Sequence, residues 1–260
     1  MEIKYITRMK SGPVDSAVYG IHAAAEIIAS GADRIDHVYF EQERRSSELF
    51  ELMKSCRRQR LSYSAVPAPR LNLLAGTPRH QGVVVSCSAK AYASAEELEA
   101  IVHAASVPLL FLPASIEDPR NLGALIRTCA ALGVHAMLLE RKNTAPLSDV
   151  VARASAGALE HMPIVKPRNL EGVVAGFKER GFRIVGAAGG AQTPPHAVDL
   201  TGPALIITGG EHRGIPPYLE KQCTDLVGIP MSQTVQSLNV SVAGAVLLYE
   251  AMRQRSLRRR

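Results

Sequence analysis

Apolar residues begin to gather in a pattern only after residue 16. Residues 1–16 are polar, broken by Gly12-Pro13, and read as a loose leader. From Tyr19 a helical spacing runs through Ile21, Ala24, Ala25, Ile27 and Ile28 until Gly31 stops it. Residues 37–40 predict a short strand. Residues 46–60 predict an amphipathic helix with Leu49, Phe50, Leu52 and Met53 as its apolar positions. Residues 61–66 read as a strand, 71–74 as one helical turn and 81–87 as another strand. Together these make a small α/β unit ending near residue 90.

Residues 91–106 are rich in alanine and glutamate and read as a helix or linker. Beyond them the alternation is regular. Strands are predicted at 108–112, 136–139, 183–187, 204–208 and 226–229. Helices are predicted at 121–132, 150–159, 170–180 and 238–253, with Gly133 and Gly181 as stops. Apolar strands alternating with helices imply a parallel sheet covered on both faces. The expected division is therefore 1–90, a linker at 91–106, and a larger α/β domain at 107–260. No internal repeat or low-complexity segment interrupts it.

Composition narrows the partners. Hydrophobic residues make up 47% of the 260, ample for packed cores. Aromatics are only 5% and Trp is absent, so a nucleic acid would be gripped by charge more than by base stacking. The net charge of +6 and a pI of about 9.3 favour a polyanionic partner. Lys54, Arg57, Arg58 and Arg60 cluster in a helical stretch and are the better candidates for phosphate contacts. Arg258-Arg259-Arg260 reads as a frayed tail. Cys56, Cys87, Cys129 and Cys223 form no Cys-x-x-Cys pair, which suggests reduced thiols in a cytoplasmic protein. The N-terminus has no signal-peptide core, and no apolar run reaches the roughly 18–20 residues of a membrane span. The eight histidines contain no His-x-x-x-His pair, and there is no Gly-x-Ser-x-Gly elbow. Neither a zinc hydrolase nor a serine hydrolase is indicated, and no metal is called for.

Three segments are more polar than their neighbours require. Glu117-Asp-Pro-Arg-Asn-Leu-Gly-Ala-Leu-Ile-Arg127 follows a strand and opens a helix. Asp118 or Asn121 would serve as a plain N-cap. Arg127 is not explained that way, because the helix around it is Leu, Ile, Ala and Cys. Buried there, it would need a phosphate, a core carboxylate or a partner subunit. Gly209-Gly-Glu-His-Arg-Gly214 follows a buried strand, where glycines let the backbone approach a ligand and where parallel sheets place their crevice. Its spacing is neither the Rossmann fingerprint nor a P-loop. Gly186-Ala-Ala-Gly-Gly190 also lacks the fingerprint and reads as a plain loop. In the third segment, Ile229-Pro230-Met231 precedes Ser237-Leu238-Asn239, the polar entrance to an apolar helix. Ser237 or Asn239 would cap it. Ile229, Met231 and Leu238 would also suit an apolar slot for an adenine-like ring.

Taken together, the three segments resemble motifs 1, 2 and 3 of the SpoU (TrmH) branch of the SPOUT RNA methyltransferases. The matching residues are Asp118-Pro119-x-Asn121-x-Gly123-x-x-x-Arg127-Thr128, Gly209-x-Glu211-x-x-Gly214, and Ile229-Pro230-Met231 with Ser237-Leu238-Asn239-Val240-Ser241. Ala154-Ser155-Ala156-Gly157-Ala158 is similar to a further family segment. Order and spacing both agree, across most of the second half. More loosely, Tyr19-Gly20-x-His22-Ala23 and His80-Gln81-Gly82-Val83 resemble the substrate-binding domain of ribosomal-RNA 2′-O-methyltransferases of this branch.

The resemblance implies a parallel α/β domain with a deep trefoil knot, preceded by a small α/β RNA-binding domain. It also implies a homodimer that binds S-adenosylmethionine. On this basis Asn121, Arg127, Glu211, Ser237 and Asn239 form the catalytic and substrate-positioning set. Ala187, Thr208, Gly209, Gly210, Ile229, Met231 and Leu238 hold the cofactor, largely through backbone groups. The implied reaction is methyl transfer to a ribose 2′-hydroxyl of RNA, with a guanosine of 23S ribosomal RNA the foremost target. Within the class the alternatives are tRNA and an rRNA site conferring antibiotic resistance. From a different class, the same scaffold would suit a non-catalytic RNA-binding or ribosome-assembly factor.

Overall fold

The computed structural model describes residues 17–30, 32–210, 214–232 and 237–258. The expected leader, 1–16, lies outside them. The chain divides into two compact units, Met1–Ala91 and Tyr92–Arg260.

The first unit is built from β1 (Ala17–Tyr19), α1 (Ile21–Ser30), β2 (Ile35–Glu41), α2 (Ser47–Gln59), β3 (Tyr63–Val66), α3 (Ala68–Ala75) and β4 (Val83–Cys87). Its sheet has the order β1-β4-β2-β3, with β2 and β3 parallel and the other pairs antiparallel. Ser46 caps α2 by accepting from the Leu49 amide at 3.4 Å, and Arg60, in a left-handed conformation, ends it. The predicted single turn at 71–74 is a longer helix, α3, with a proline in its first turn, where a missing N–H costs nothing.

Two loosely matched motifs meet in this unit. The Gln81 side chain accepts from the Ile21 amide at 2.9 Å and so caps α1 from sixty residues away. His80 is 3% exposed. Its Nδ1 accepts from the Gly82 amide at 3.0 Å and its Nε2 meets Asn72 Oδ1 at 2.8 Å. Those partners put the proton on Nε2. His80 is thereby a turn-holding residue with both nitrogens used, whereas His22 is exposed.

The second unit contains α4 (Ala95–Ala104), β5 (Leu109–Pro113), α5 (Pro119–Ala131), β6 (Ala136–Leu138), α6 (Asp149–Ala154), α7 (Ala158–His161), β7 (Ile164–Val165), α8 (Leu170–Glu179), β8 (Arg183–Ala187), β9 (Ala204–Thr208), α9 (Pro217–Glu220), β10 (Asp225–Val227) and α10 (Val240–Arg258). The helix-or-linker stretch 91–106 is α4. A capping box opens it: Ser94 Oγ accepts from the Glu97 amide and Glu97 Oε2 from the Ser94 amide. Leu98 and Val102 pack into the second core, so α4 is part of this unit.

The strands are ordered β10-β8-β9-β5-β6-β7 and every pairing is parallel. From β5 the chain first lays β6 and β7 to one side. It then crosses to β8, returns to insert β9 between β8 and β5, and adds β10 beyond β8. The direction of winding therefore reverses at β5/β9, which is where an open parallel sheet leaves a crevice at its carboxyl ends.

Two helix predictions are corrected. The single helix at 150–159 is broken into α6 and α7, because Ala156 (φ 49°) and Gly157 (φ 85°) are left-handed. Ser155 bridges the break, donating to the Ala152 carbonyl at 2.8 Å and accepting from the Leu159 amide at 3.3 Å. The last helix runs to Arg258, the first residue of the expected frayed tail. Arg255 donates to the carbonyls of Leu200, Val107 and Gly202 at 2.9, 3.0 and 2.7 Å, and Arg258 to Thr201 Oγ1 at 2.9 Å. Arg259 and Arg260 are outside the described residues. All four cysteines are free thiols, and burial pushes Cys56 and Cys223 up to about 11. Among the described residues no helix is long and apolar enough to cross a membrane.

Candidate active site

The carboxyl ends of the central strands line up. Pro113 is paired with Thr208, Thr208 with Ala187, and Ala187 with Val227. Four strands thus finish in one row at the switch point. The predicted cofactor residues Ala187, Thr208, Gly209 and Gly210 sit on that row or just past it, and Ile229 follows Val227 by two residues.

Close backbone contacts tighten this edge. A Cβ on Gly209 would lie 2.3 Å from the Gly214 carbonyl carbon and 2.7 Å from the Ile215 nitrogen. A Cβ on Gly210 would lie 2.9 Å from both Cβ and the carbonyl oxygen of Ser115. A Cβ on Gly228 would lie 2.1 Å from the Ala191 carbonyl oxygen. The glycines are thus needed for approach of the chain to itself, which refines the expectation of approach to a ligand. The Gly210 amide donates to the Gly214 carbonyl at 3.1 Å, closing the segment between them. Glu211 falls in that segment, at 211–213, outside the described residues.

Thr208 is 2% exposed, and its Oγ1 is buried with no hydrogen-bond partner among the described residues. A buried hydroxyl left unpaired is costly unless something else bonds it. Further along the chain, after β10, Ile229 is half-buried, and Met231 and Leu238 are 42% and 37% exposed. Partly exposed apolar side chains that follow the carboxyl ends of parallel strands fit the aromatic part of a ligand, its polar part falling to the backbone of Gly209 and Gly210. The donor set suits S-adenosylmethionine.

The two motif asparagines meet. Asp118 caps α5 by accepting from the Arg120 amide at 2.7 Å, and Pro119 occupies its first turn. That places Asn121 at the helix start, just after β5. Asn239 Nδ2 donates to Asn121 Oδ1 at 3.1 Å, joining residues 118 positions apart. Asn239 also caps α10. Its Oδ1 accepts from the Ser241 amide at 2.8 Å, and its carbonyl accepts from the Ala243 amide at 2.9 Å. Ser237 is exposed beside it.

Arg127 is not buried, contrary to the sequence expectation. The inward face of α5 is Leu122, Gly123, Leu125, Ile126 and Cys129, and Arg127 projects off it to solvent. It lies six residues beyond Asn121, about 9 Å along the axis. It therefore needs no internal counter-charge and is free to meet an external phosphate.

Gly123 has a packing role. A Cβ there would lie 2.5 Å from Ala154 Cβ and 2.9 Å from the Val151 carbonyl oxygen, so α5 and α6 cross at this point. Gly123→Val is expected to lower stability by about 1–3 kcal/mol, read by chemical denaturation.

Sequence reasoning missed Ser115, Glu140 and Tyr218. Glu140 is 8% exposed at the end of β6, where it accepts from the Ser115 amide, from Ser115 Oγ at 3.2 Å and from the Tyr218 hydroxyl at 2.6 Å. The signal that could have found it is the acid that ends the apolar run 136–139, ahead of Arg141 and Lys142. In the first unit, Lys54, Arg57, Arg58 and Arg60 are all exposed. Lys54 pairs with Glu51 at 2.7 Å and lies over the exposed Phe50 ring, while Arg57 donates to the Tyr63 hydroxyl at 2.6 Å.

Known proteins bear the same pattern. A family model described as the SpoU rRNA Methylase family matches residues 108–249. Another, described as RNA 2'-O ribose methyltransferase substrate binding, matches residues 17–93. The 23S rRNA (guanosine-2'-O-)-methyltransferase RlmB of Ralstonia nicotianae is 34% identical over 239 residues, covering 92% of this chain and 95% of that protein. The RlmB of Shewanella oneidensis is 33% identical, covering 92% and 97%. Among solved structures, the SpoU methyltransferase AviRb from Streptomyces viridochromogenes, in complex with the cofactor AdoMet, superposes with a TM-score of 0.59. It is 23% identical and covers 93% of this chain and 90% of that one. The A. aeolicus TrmH/SpoU tRNA modifying enzyme gives 0.54 at 29% identity, covering 63% of this chain and 83% of its own. A family model over more than half its length, and relatives a third identical nearly end to end, make the chain a member of the SpoU rRNA methylase family.

Proposed function

We propose that this protein transfers a methyl group from S-adenosylmethionine to a ribose 2′-hydroxyl of RNA, at a guanosine of 23S ribosomal RNA. The observation that carries it is the Asn121–Asn239 bond, which draws motifs 1 and 3 together at the switch point of the parallel sheet. Ribosomal RNA is favoured over tRNA by coverage. Relatives named for 23S rRNA match 92% of the chain, whereas the tRNA-modifying structure matches only 63%. The first unit, which matches the substrate-binding model, is the RNA-binding domain in this reading.

When bound, S-adenosylmethionine supplies an electrophilic methyl group on a sulfonium. The backbone of Ala187, Thr208, Gly209 and Gly210 holds the cofactor, and Ile229, Met231 and Leu238 provide its apolar wall. Asn121 and Asn239 fix each other's orientation, where small displacements are costly in rate. With Ser237 and Glu211 they position the ribose. Arg127 orients the neighbouring phosphate and assists removal of the hydroxyl proton, with the phosphate as relay, since a guanidinium alone is a poor base.

A deep trefoil knot is part of this reading: after β10 is laid beyond β8, the chain returns to α5, where Asn239 bonds Asn121 and α10 packs at Leu125. Such threading is rare. A homodimer is the proposed assembly. On α10, Val242, Val246, Tyr249 and Met252 are exposed at helical spacing, while Gly244, Leu247, Leu248 and Ala251 face the core. A contiguous apolar stripe of this kind marks an interface. Val246→Asp with Tyr249→Asp is expected to convert a dimer to monomer in light scattering. A double variant with unchanged mass would remove α10 from the interface. The site is assigned to the cytoplasm, where ribosomal RNA is assembled.

The test of the activity is a map of 2′-O-methyl groups on rRNA and tRNA from cells with and without the gene. One guanosine of 23S rRNA is expected to lose its mark. An unchanged map in both RNAs would overturn the enzyme reading. Purified protein is also expected to melt higher with S-adenosylmethionine, by mass action on the native state.

A further inference from the structure

Gly209–Gly210 and Gly214–Ile215 are flanked on both sides by donors to a buried carboxylate that none of the three motifs contains. On one flank, Ser115 follows β5 with φ 51° and packs against Gly210, leaving no room there for a Cβ. On the other, Tyr218 opens α9, four residues after Gly214, and packs on the core that also takes Ile215 and Leu219. Both flanks converge on Glu140, which accepts from the Ser115 amide and hydroxyl and from the Tyr218 hydroxyl. Among the described residues no cation pairs with Glu140. A buried carboxylate in that position is kept by its donors, and each donor is in turn kept in place by it. Burial, then the bond to Glu140, pushes the Tyr218 phenol well above its ordinary range, so it stays a donor at neutral pH.

We infer that Glu140 is a positioning residue for cofactor binding, acting through Ser115 and Tyr218 to set the distance between the two arms of the glycine segment. This rests on the cofactor reading proposed above. The carboxylate sits at the end of β6, one strand beyond β5, and so ties the crevice edge of β9 to the opposite half of the sheet. Loss of the brace would let Gly209–Gly210 and Gly214–Ile215 move apart. The cofactor would be weakened first, and Asn121 and Arg127, which lie on α5 outside this segment, would be spared, Glu211 being the one ribose-positioning residue carried on it.

The experiment uses the full-length protein and variants Tyr218→Phe, Glu140→Ala and Glu140→Gln. S-adenosylmethionine affinity is measured by calorimetry, and KM for RNA and kcat by methyl incorporation. Hydrogen exchange is followed over residues 204–220 without cofactor. Tyr218→Phe removes one bond to a charged acceptor and is expected to weaken S-adenosylmethionine about tenfold. KM for RNA should rise by clearly less than cofactor affinity falls, and exchange over residues 204–220 should quicken. Glu140→Ala should do the same or more, and Glu140→Gln, which keeps shape and two acceptor bonds, should recover most of the loss. If Glu140→Ala does not fold, Tyr218→Phe decides alone. Wild-type affinity and exchange in Tyr218→Phe would overturn the inference, as would equal losses in RNA and cofactor binding. Failure of the wild-type protein itself to bind S-adenosylmethionine would overturn the cofactor reading and this inference together. Binding by wild type with unaltered variants would overturn the inference alone.

Discussion

Replacing Arg127 by alanine is expected to lower methyl transfer by roughly a hundredfold or more, with S-adenosylmethionine affinity and thermal stability nearly unchanged. The separation follows from where the side chain is. It projects from α5 to solvent, away from the face that Leu122, Leu125, Ile126 and Cys129 bury. Its loss opens no cavity and strands no internal partner, so the fold has little reason to respond. The proposed cofactor edge takes its residues from the ends of β8, β9 and β10 and from the entrance of α10, not from α5, so binding there should also be spared. What disappears is a fixed, planar, always-charged group able to hold a phosphate through two parallel bonds. Arg127→Lys keeps the charge and loses the fork, and should recover only part of the rate. Single-turnover assays at saturating cofactor would separate the two effects. Near-normal turnover in Arg127→Ala would sink the assignment, and a large loss of stability would show that the side chain has an internal role.

Much of the second unit was legible because buried parallel strands are continuous apolar runs. Leu109–Pro113 and Ala204–Thr208 are buried at every residue and stand out by composition alone. The order of those strands was not legible. An apolar run carries no label for its neighbour, so the insertion of β9 between β5 and β8 appears only in the fold. The phase of α5 was in principle readable. Ile126 is buried, and the next residue turns about 100° around the axis, which carries Arg127 off the apolar face. Its apolar neighbours in sequence obscured that. The break between α6 and α7 was hidden because one of its left-handed residues is an alanine, a type that rarely adopts φ 49°. Of the site, the motif residues were visible as polar anomalies. Their meeting was not, because Asn121 and Asn239 are 118 residues apart. Glu140 and Tyr218 were missed for the same reason: each is unremarkable until the fold brings it to the other.

Gly209→Ala should be a severely damaging small substitution at the crevice, lowering stability by about 1–3 kcal/mol and cofactor affinity by at least about tenfold. The new methyl group would sit 2.3 Å from the Gly214 carbonyl carbon and 2.6 Å from its Cα. Both neighbours are backbone and cannot swing aside as a side-chain tip would. For a unit of this size the melting temperature should fall by about 2–12 °C. Two other glycines separate space from backbone freedom. Gly214→Ala meets nothing within 4 Å but forces φ 67° on an alanine, so its cost should be about 1 kcal/mol. Gly189→Ala meets nothing and needs no positive φ, so it should be close to neutral. Ranking the three by calorimetric melting and by S-adenosylmethionine binding therefore tests the mechanism as well as the size of the effect. If Gly214→Ala proved worse than Gly209→Ala, conformational freedom would govern this edge. The expected order, with Gly209→Ala far ahead, would mean that the crevice is shaped by the chain pressing against itself, and that Gly209 is retained because a methyl group cannot fit between two crossing strands of backbone.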